Sequence, residues 1–201
     1  AADAQYTGEE SGDNAGGSVS TAGDVDGDGF GDLLVGASEN GDGAIWAVGD
    51  RYKASFDASG ATYVPFFGSR APKCFPIHLR IEEITLGGMP IAFDASAQPV
   101  HAGNRIVFDR GLVDEVYDLT PNSIEQSFVF ERMPAQGELL VRLAVDSELA
   151  RDIDANGLVF SGELGSVHYS HAVSFDETGV RHAAPTAFEG DAITLRVPAE
   201  Q

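Results

Sequence analysis

Leu139, Val141, Leu143 and Val145 form the cleanest two-residue alternation of apolar positions in this chain, and that period predicts a strand with one buried face. Phe75, Ile77, Leu79 and Ile81 alternate with Pro76, His78, Arg80 and Glu82 in the same way. Shorter apolar or alternating runs predict further strands at 63–67, 90–93, 105–109, 111–119, 126–132, 158–161, 166–170, 172–176 and 192–197. Turn residues separate them: Gly87-Gly88, Gly103-Asn104, Pro121-Asn122, Ala155-Asn156-Gly157 and Glu177-Thr178-Gly179. One stretch, 146–152, reads equally as a scrap of helix or as a turn. About ten strands at near-regular spacing predict an all-β fold, an antiparallel β-sandwich over residues 62–201. Residues 50–61, with Gly49 before them and Asp57, Ser59 and Gly60 among them, read as a connector.

Charge sets the first quarter apart. The chain has 201 residues and a net charge of −20. Residues 1–50 hold 11 Asp/Glu and no Lys/Arg; the remaining 21 acids and all 12 basic residues lie beyond them. The two parts carry nets of −11 and 12 − 21 = −9. Such a balance argues against nucleic acid and anionic membrane surfaces as partners, and the N-terminal quarter favours cations. No apolar run has the length of a membrane span. The lone cysteine, Cys74, excludes an intrachain disulfide and is expected as a small buried residue. Ala1-Ala2-Asp3 is compatible with a terminus left by signal cleavage after small residues, and a secreted setting is expected.

Within that acidic quarter, residues 24–32 read D-V-D-G-D-G-F-G-D. Carboxylates at alternate positions around glycines suit one hard cation with oxygen ligands, and Ca2+ is the usual occupant. Without a cation they would repel one another. Asp24, Asp26 and Asp28 would supply side-chain oxygens and Phe30 its backbone carbonyl. Asp32 would close the loop directly or through water, and Gly29 would take the sharp turn. An EF-hand requires a bidentate Glu at loop position twelve, which here is Val35. The residues after the loop, 33–37, are apolar and end at Gly36-Ala37, and 19–22 before it also read as a strand. The loop is therefore expected at the tip of a β-hairpin.

The order of segments around it, Gly16-Gly17-Ser18-Val19-Ser20, Ala22-Gly23-Asp24 to Phe30, Asp32-Leu33-Leu34-Val35-Gly36-Ala37 and Gly43-Ala44-Ile45-Trp46-Ala47-Val48, resembles the FG-GAP repeat. This is the calcium-binding blade of integrin α-like propellers and of many bacterial secreted or surface proteins. The resemblance covers about residues 6–49. Two positions depart from the pattern: the Phe-Gly pair is Ala15-Gly16, and Gly-Ala-Pro is Gly36-Ala37-Ser38. The resemblance implies one propeller-blade-like β unit over 1–49, ahead of the connector and the sandwich. The remainder loosely resembles β-domains that accompany such repeats. A lone blade leaves apolar faces uncovered, so it is expected to pack on the sandwich, on another copy of the chain or on another surface protein.

Catalytic chemistry is not legible. His168 and His171 are three apart on a strand and point to opposite faces, which disfavours zinc. Glu82, Glu83, Asp114 and Glu115 are the carboxylates of a conceivable hydrolytic pair, against the plainer reading of solvated strand faces. Tyr117, Tyr169 and Trp46 are candidates for a sugar-stacking surface, against the plainer reading of core. The expected function is a non-enzymatic extracellular structural or adhesive protein. Its N-terminal unit would be stabilised by calcium and would self-assemble through β-edge contacts into an oligomer or filament. The alternative is a carbohydrate- or protein-binding accessory module of a secreted enzyme.

Overall fold

The computed structural model describes residues 33–37 and 44–199. They form antiparallel strands and no helix. In chain order the strands are β1 (Leu34–Ala37), β2 (Ile45–Val48), β3 (Tyr52–Asp57), β4 (Gly60–Pro65), β5 (Ile77–Leu86), β6 (Met89–Pro90), β7 (Val100–Ala102), β8 (Arg105–Asp109) and β9 (Asp114–Leu119). Then come β10 (Ile124–Val129), β11 (Leu139–Asp146), β12 (Ala150–Asp154), β13 (Gly157–Gly162), β14 (Gly165–Ser170), β15 (Ala172–Phe175), β16 (Arg181–Ala184), β17 (Thr186–Glu189) and β18 (Ala192–Val197).

One long sheet runs β1-β2-β3-β4-β5-β11-β18-β17, with β6 folded back on β5. Its centre is the β5–β11 pair. β11 keeps the expected alternation throughout. β5 outruns its prediction because its apolar phase shifts by one residue: Ile77, Leu79 and Ile81 give way to Ile84 and Leu86. An irregularity in the pairing absorbs the shift. Arg142 faces Glu83 and Leu143 faces Ile81, so Glu82 is the extra residue and both apolar sets stay inward. Within the stretch 146–152, residues 147–149 make the bend that joins β11 to β12.

The stretch 50–61 differs from the expected connector. Tyr52, Ala54 and Phe56 are buried and alternate with Lys53, Ser55 and Asp57, so this segment is β3 and the turn into β4. The turn chemistry at 57–60 is real, with the Asp57 carboxylate accepting from the Ser59 N–H, but strands flank it. The long sheet is continuous across residues 49–62.

The second layer is split. A sheet of order β10-β9-β8-β7 covers β2–β4, enclosing Ile45, Tyr52, Phe56, Ile106, Phe108 and Leu119. A separate sheet, β12-β13-β14, covers β5, β11 and β18, enclosing Ile81, Leu143, Leu158, Phe160 and Ile193. Leu33 and Val35 pack against the first of these cores. The β2–β3 turn is stitched to the β9–β10 loop. Asp50 N–H donates to the Pro121 carbonyl at 2.6 Å and the Tyr52 hydroxyl to the Thr120 carbonyl at 2.8 Å. Tyr63 touches both cores and marks their boundary.

The β15–β16 hairpin stands apart, and its tip is organised by Asp176. The carboxylate accepts from the Thr178 hydroxyl and from the Thr178 and Val180 N–H groups. Led by the Thr178 hydroxyl, these bonds hold its pKa at about 2, below the ordinary 3.8. Because the folded value is depressed, the contribution to stability is complete above pH 3.8 and is lost as pH falls through about 2. Amide exchange at Thr178 and Val180 is expected to accelerate in that window relative to an Asp176→Asn variant. A flat difference between the two proteins from pH 4 to 2 would contradict it.

Candidate functional site

The proposed metal ligands Asp24, Asp26, Asp28, Phe30 and Asp32 lie outside the described residues. The segment immediately after them is placed. Leu33 packs on the core, and β1 pairs with β2 in the register Val35↔Ala47 and Gly36↔Trp46. Among the described residues, no group of three or more His, Cys, Asp or Glu side chains is positioned to hold a metal ion. His78 hydrogen-bonds Thr62 at 2.9 Å, His168 approaches Asp154 at 3.6 Å and His182 approaches Asp176 at 3.4 Å.

Two expectations are corrected. Cys74 is exposed, in the irregular stretch before β5. Glu115, expected as a solvated carboxylate, is 0% exposed. It is held by Arg110, itself 3% exposed, whose Nε and Nη2 lie 2.8 and 2.7 Å from Oε2. Arg110 Nη1 also donates to the Asp94 carbonyl, and its guanidinium lies over the Phe108 ring, 4.7 Å from the centroid. The other carboxylate oxygen accepts from the Tyr117 hydroxyl at 2.6 Å and from Gln126 Nε2 at 2.8 Å. Tyr169 then donates to Gln126 Oε1 at 3.0 Å. Burial raises the pKa of Tyr117, and the Glu115 charge raises it further; burial does the same for Tyr169. Both hydroxyls remain donors. Among the described residues no buried side-chain N or O lacks a hydrogen-bond partner, the condition for keeping such a pair in the interior.

A signal for this network was present. Ile106 and Phe108 set the inward phase of β8, and Arg110 falls in it. Val113, Tyr117 and Leu119 set the phase around β9, and Glu115 falls in it. Glu82, by contrast, is an exposed partner of Arg142, and Glu83 is exposed. Asp114 is half-buried at the start of β9.

Gln126 and Tyr169 also wall a cleft of about 560 Å³. It opens where β10 and β14, the facing edges of the two second-layer sheets, diverge over β4 and β5. Tyr63, Phe67, Ile77, Leu79 and Phe160 contribute its apolar surface. Of the three candidate platform aromatics, Tyr117 and Tyr169 meet at Gln126 beside this cleft. Trp46 does not line it; it is 38% exposed on β2, with Lys53 Nζ 5.7 Å from its ring centroid.

These features define an all-β protein of antiparallel sheets. The family model of the FG-GAP repeat matches residues 15–48, within the range expected from the motif order. The matched span includes the carboxylate run and both β1 and β2. Neither the curated proteins nor the solved structures compared with the chain give a match. Among the described residues, no helix is long and apolar enough to cross a membrane.

Proposed function

We propose that this chain is a non-enzymatic β module of an extracellular protein, structural or adhesive in role. Asp24, Asp26, Asp28, the Phe30 carbonyl and Asp32 hold one Ca2+ in its N-terminal unit. The FG-GAP match across residues 15–48 carries the reading, because it spans the carboxylate run together with the strands beyond it. The connection to the rest of the fold supports it. One residue after Asp32, Leu33 enters a core shared with Phe56, Ile106 and Leu119, and β1 leads into the long sheet. Metal at the loop would therefore stiffen one end of that sheet.

Assembly draws on the same sheet. At its other end, β17 pairs only with β18 among the described residues. A strand offered to such an edge by another copy, or by another surface protein, is a common mode of association. Head-to-tail repetition would give a filament.

Thermal melting with calcium and with chelator tests the metal. With calcium a hundredfold above its Kd, the stabilisation is expected to be about 3 kcal/mol. Asp26→Ala or Asp28→Ala should lose it while melting like wild type in chelator. Identical wild-type melting temperatures in calcium and chelator would rule out a structural metal. Light scattering on the same samples reads assembly, and a monomer under both conditions would rule out the filament.

A further inference from the structure

The cleft between β10 and β14 carries a second reading, independent of the calcium loop. It is a product of the split layer. Two sheet edges face each other and are bridged by the Tyr169–Gln126 hydrogen bond, and beneath them lies the boundary between the two cores at Tyr63. At about 560 Å³ it has the capacity of a small-molecule site, and its lining combines an apolar aromatic surface with polar side chains, among them Gln126, Asn122, Ser123 and His168.

Its mouth is chemically specific. Arg51 and Phe66 are adjacent at the open end of the β3–β4 hairpin, where the Phe66 N–H donates to the Arg51 carbonyl at 2.9 Å. Phe66 is 38% exposed and lines the cleft with Arg51. Arg51 and Tyr63 both line the cleft. Among the described residues, Arg51 forms no ion pair. The Tyr63 hydroxyl has no hydrogen-bond partner among the described residues, while its ring is fixed by stacking on Tyr52, centroids 5.2 Å apart. Burial raises the Tyr63 pKa, which keeps the hydroxyl a donor. Two donors that line one cleft and have no acceptor among the described residues match a group that is only an acceptor and that carries negative charge.

We propose that this cleft binds a small carboxylate with an apolar body. The body would lie against Tyr63 and Phe67, and the carboxylate would accept from Arg51 and the Tyr63 hydroxyl. The apolar part supplies affinity by leaving water, and the carboxylate fixes orientation.

Calorimetric titration of the full chain with phenylbutyrate, phenylbutanol and a neutral cello-oligosaccharide tests this, with amide chemical shifts locating the site. Phenylbutyrate is expected to saturate, shifting residues around Tyr63, Phe67 and Tyr169, and to bind about tenfold more tightly than the alcohol. Arg51→Gln, at an exposed position, should remove most of that roughly tenfold preference, weakening phenylbutyrate much more than phenylbutanol. Tyr63→Phe should reduce it by a smaller factor. Absence of saturable phenylbutyrate binding would overturn the proposal, as would equal affinity for acid and alcohol, or an Arg51→Gln protein indistinguishable from wild type. Saturable binding of the oligosaccharide at these residues, with phenylbutyrate silent, would overturn it in favour of a neutral sugar site.

Discussion

Replacing Glu115 with alanine is expected to lower stability by about 3–5 kcal/mol, the range for removing one partner of a buried ion pair. The cause is what remains. Arg110, 3% exposed, would keep its charge with only the Asp94 carbonyl and the Phe108 ring to answer it. Tyr117 and Gln126 would each lose an acceptor. Removing both charges is a different matter, since apolar replacements of similar volume often match or exceed a buried pair. The double variant Arg110→Met with Glu115→Leu should therefore recover the part of the loss that comes from the stranded Arg110 charge, while Tyr117 and Gln126 still lack their acceptor. Urea unfolding midpoints of the single and double variants check this. A Glu115→Ala protein no less stable than one carrying Glu83→Ala, an exposed position in β5, would show that the network contributes little.

The second large effect is expected at Gly60. This residue closes the β3–β4 turn with φ of 129°, where only glycine is comfortable. A Cβ there would stand 2.2 Å from the Leu79 carbonyl oxygen, a backbone atom that cannot swing aside. The neighbouring β4–β5 pairing comprises only Ala61↔Leu79, Thr62↔His78 and Tyr63↔Ile77. Gly60→Ala is expected to cost about 1–3 kcal/mol in backbone conformation alone, and more by opening this pairing. Gly179→Ala is the control, because Gly179 also has positive φ, 79°, but faces open space. Unfolding midpoints should fall further for Gly60→Ala, with faster amide exchange at the β4–β5 pairing. Equal losses at the two sites would mean that the close approach to Leu79 is unimportant.

Much of the all-β fold is legible in the sequence. β8, β11 and β18 match their patterns because each keeps one apolar phase with a turn on either side. β5 reads short because Glu82-Glu83 breaks the phase, and only pairing with β11 shows the break to be an inserted residue. β7 is exposed throughout, and β16 is exposed at three of its four residues, so their side chains carry little periodic signal. Strand order is not legible: nothing local says that β11 enters the long sheet between β5 and β18. The cleft is equally hidden, since Arg51 and Tyr63 come from the β3–β4 hairpin, Gln126 from β10 and Tyr169 from β14. Arg110 and Glu115 escape for a simpler reason. Charged residues in an apolar phase look like interruptions until a partner is seen in the same layer. The carboxylate run at 24–32 is the opposite case, with its chemistry written in local spacing.

The divided second layer has a consequence for how the molecule comes apart. Each small sheet closes its own core, one around Phe56 and Phe108 and the other around Leu143 and Phe160. The seam between them is crossed by Tyr63, by the Gln126–Tyr169 bridge, and by Val113, Phe128 and Phe130, which come from the first sheet's side and pack in the second core. How cooperatively the two halves open is set by these crossings and by the long sheet they share. A ligand seated in the seam would add one more crossing.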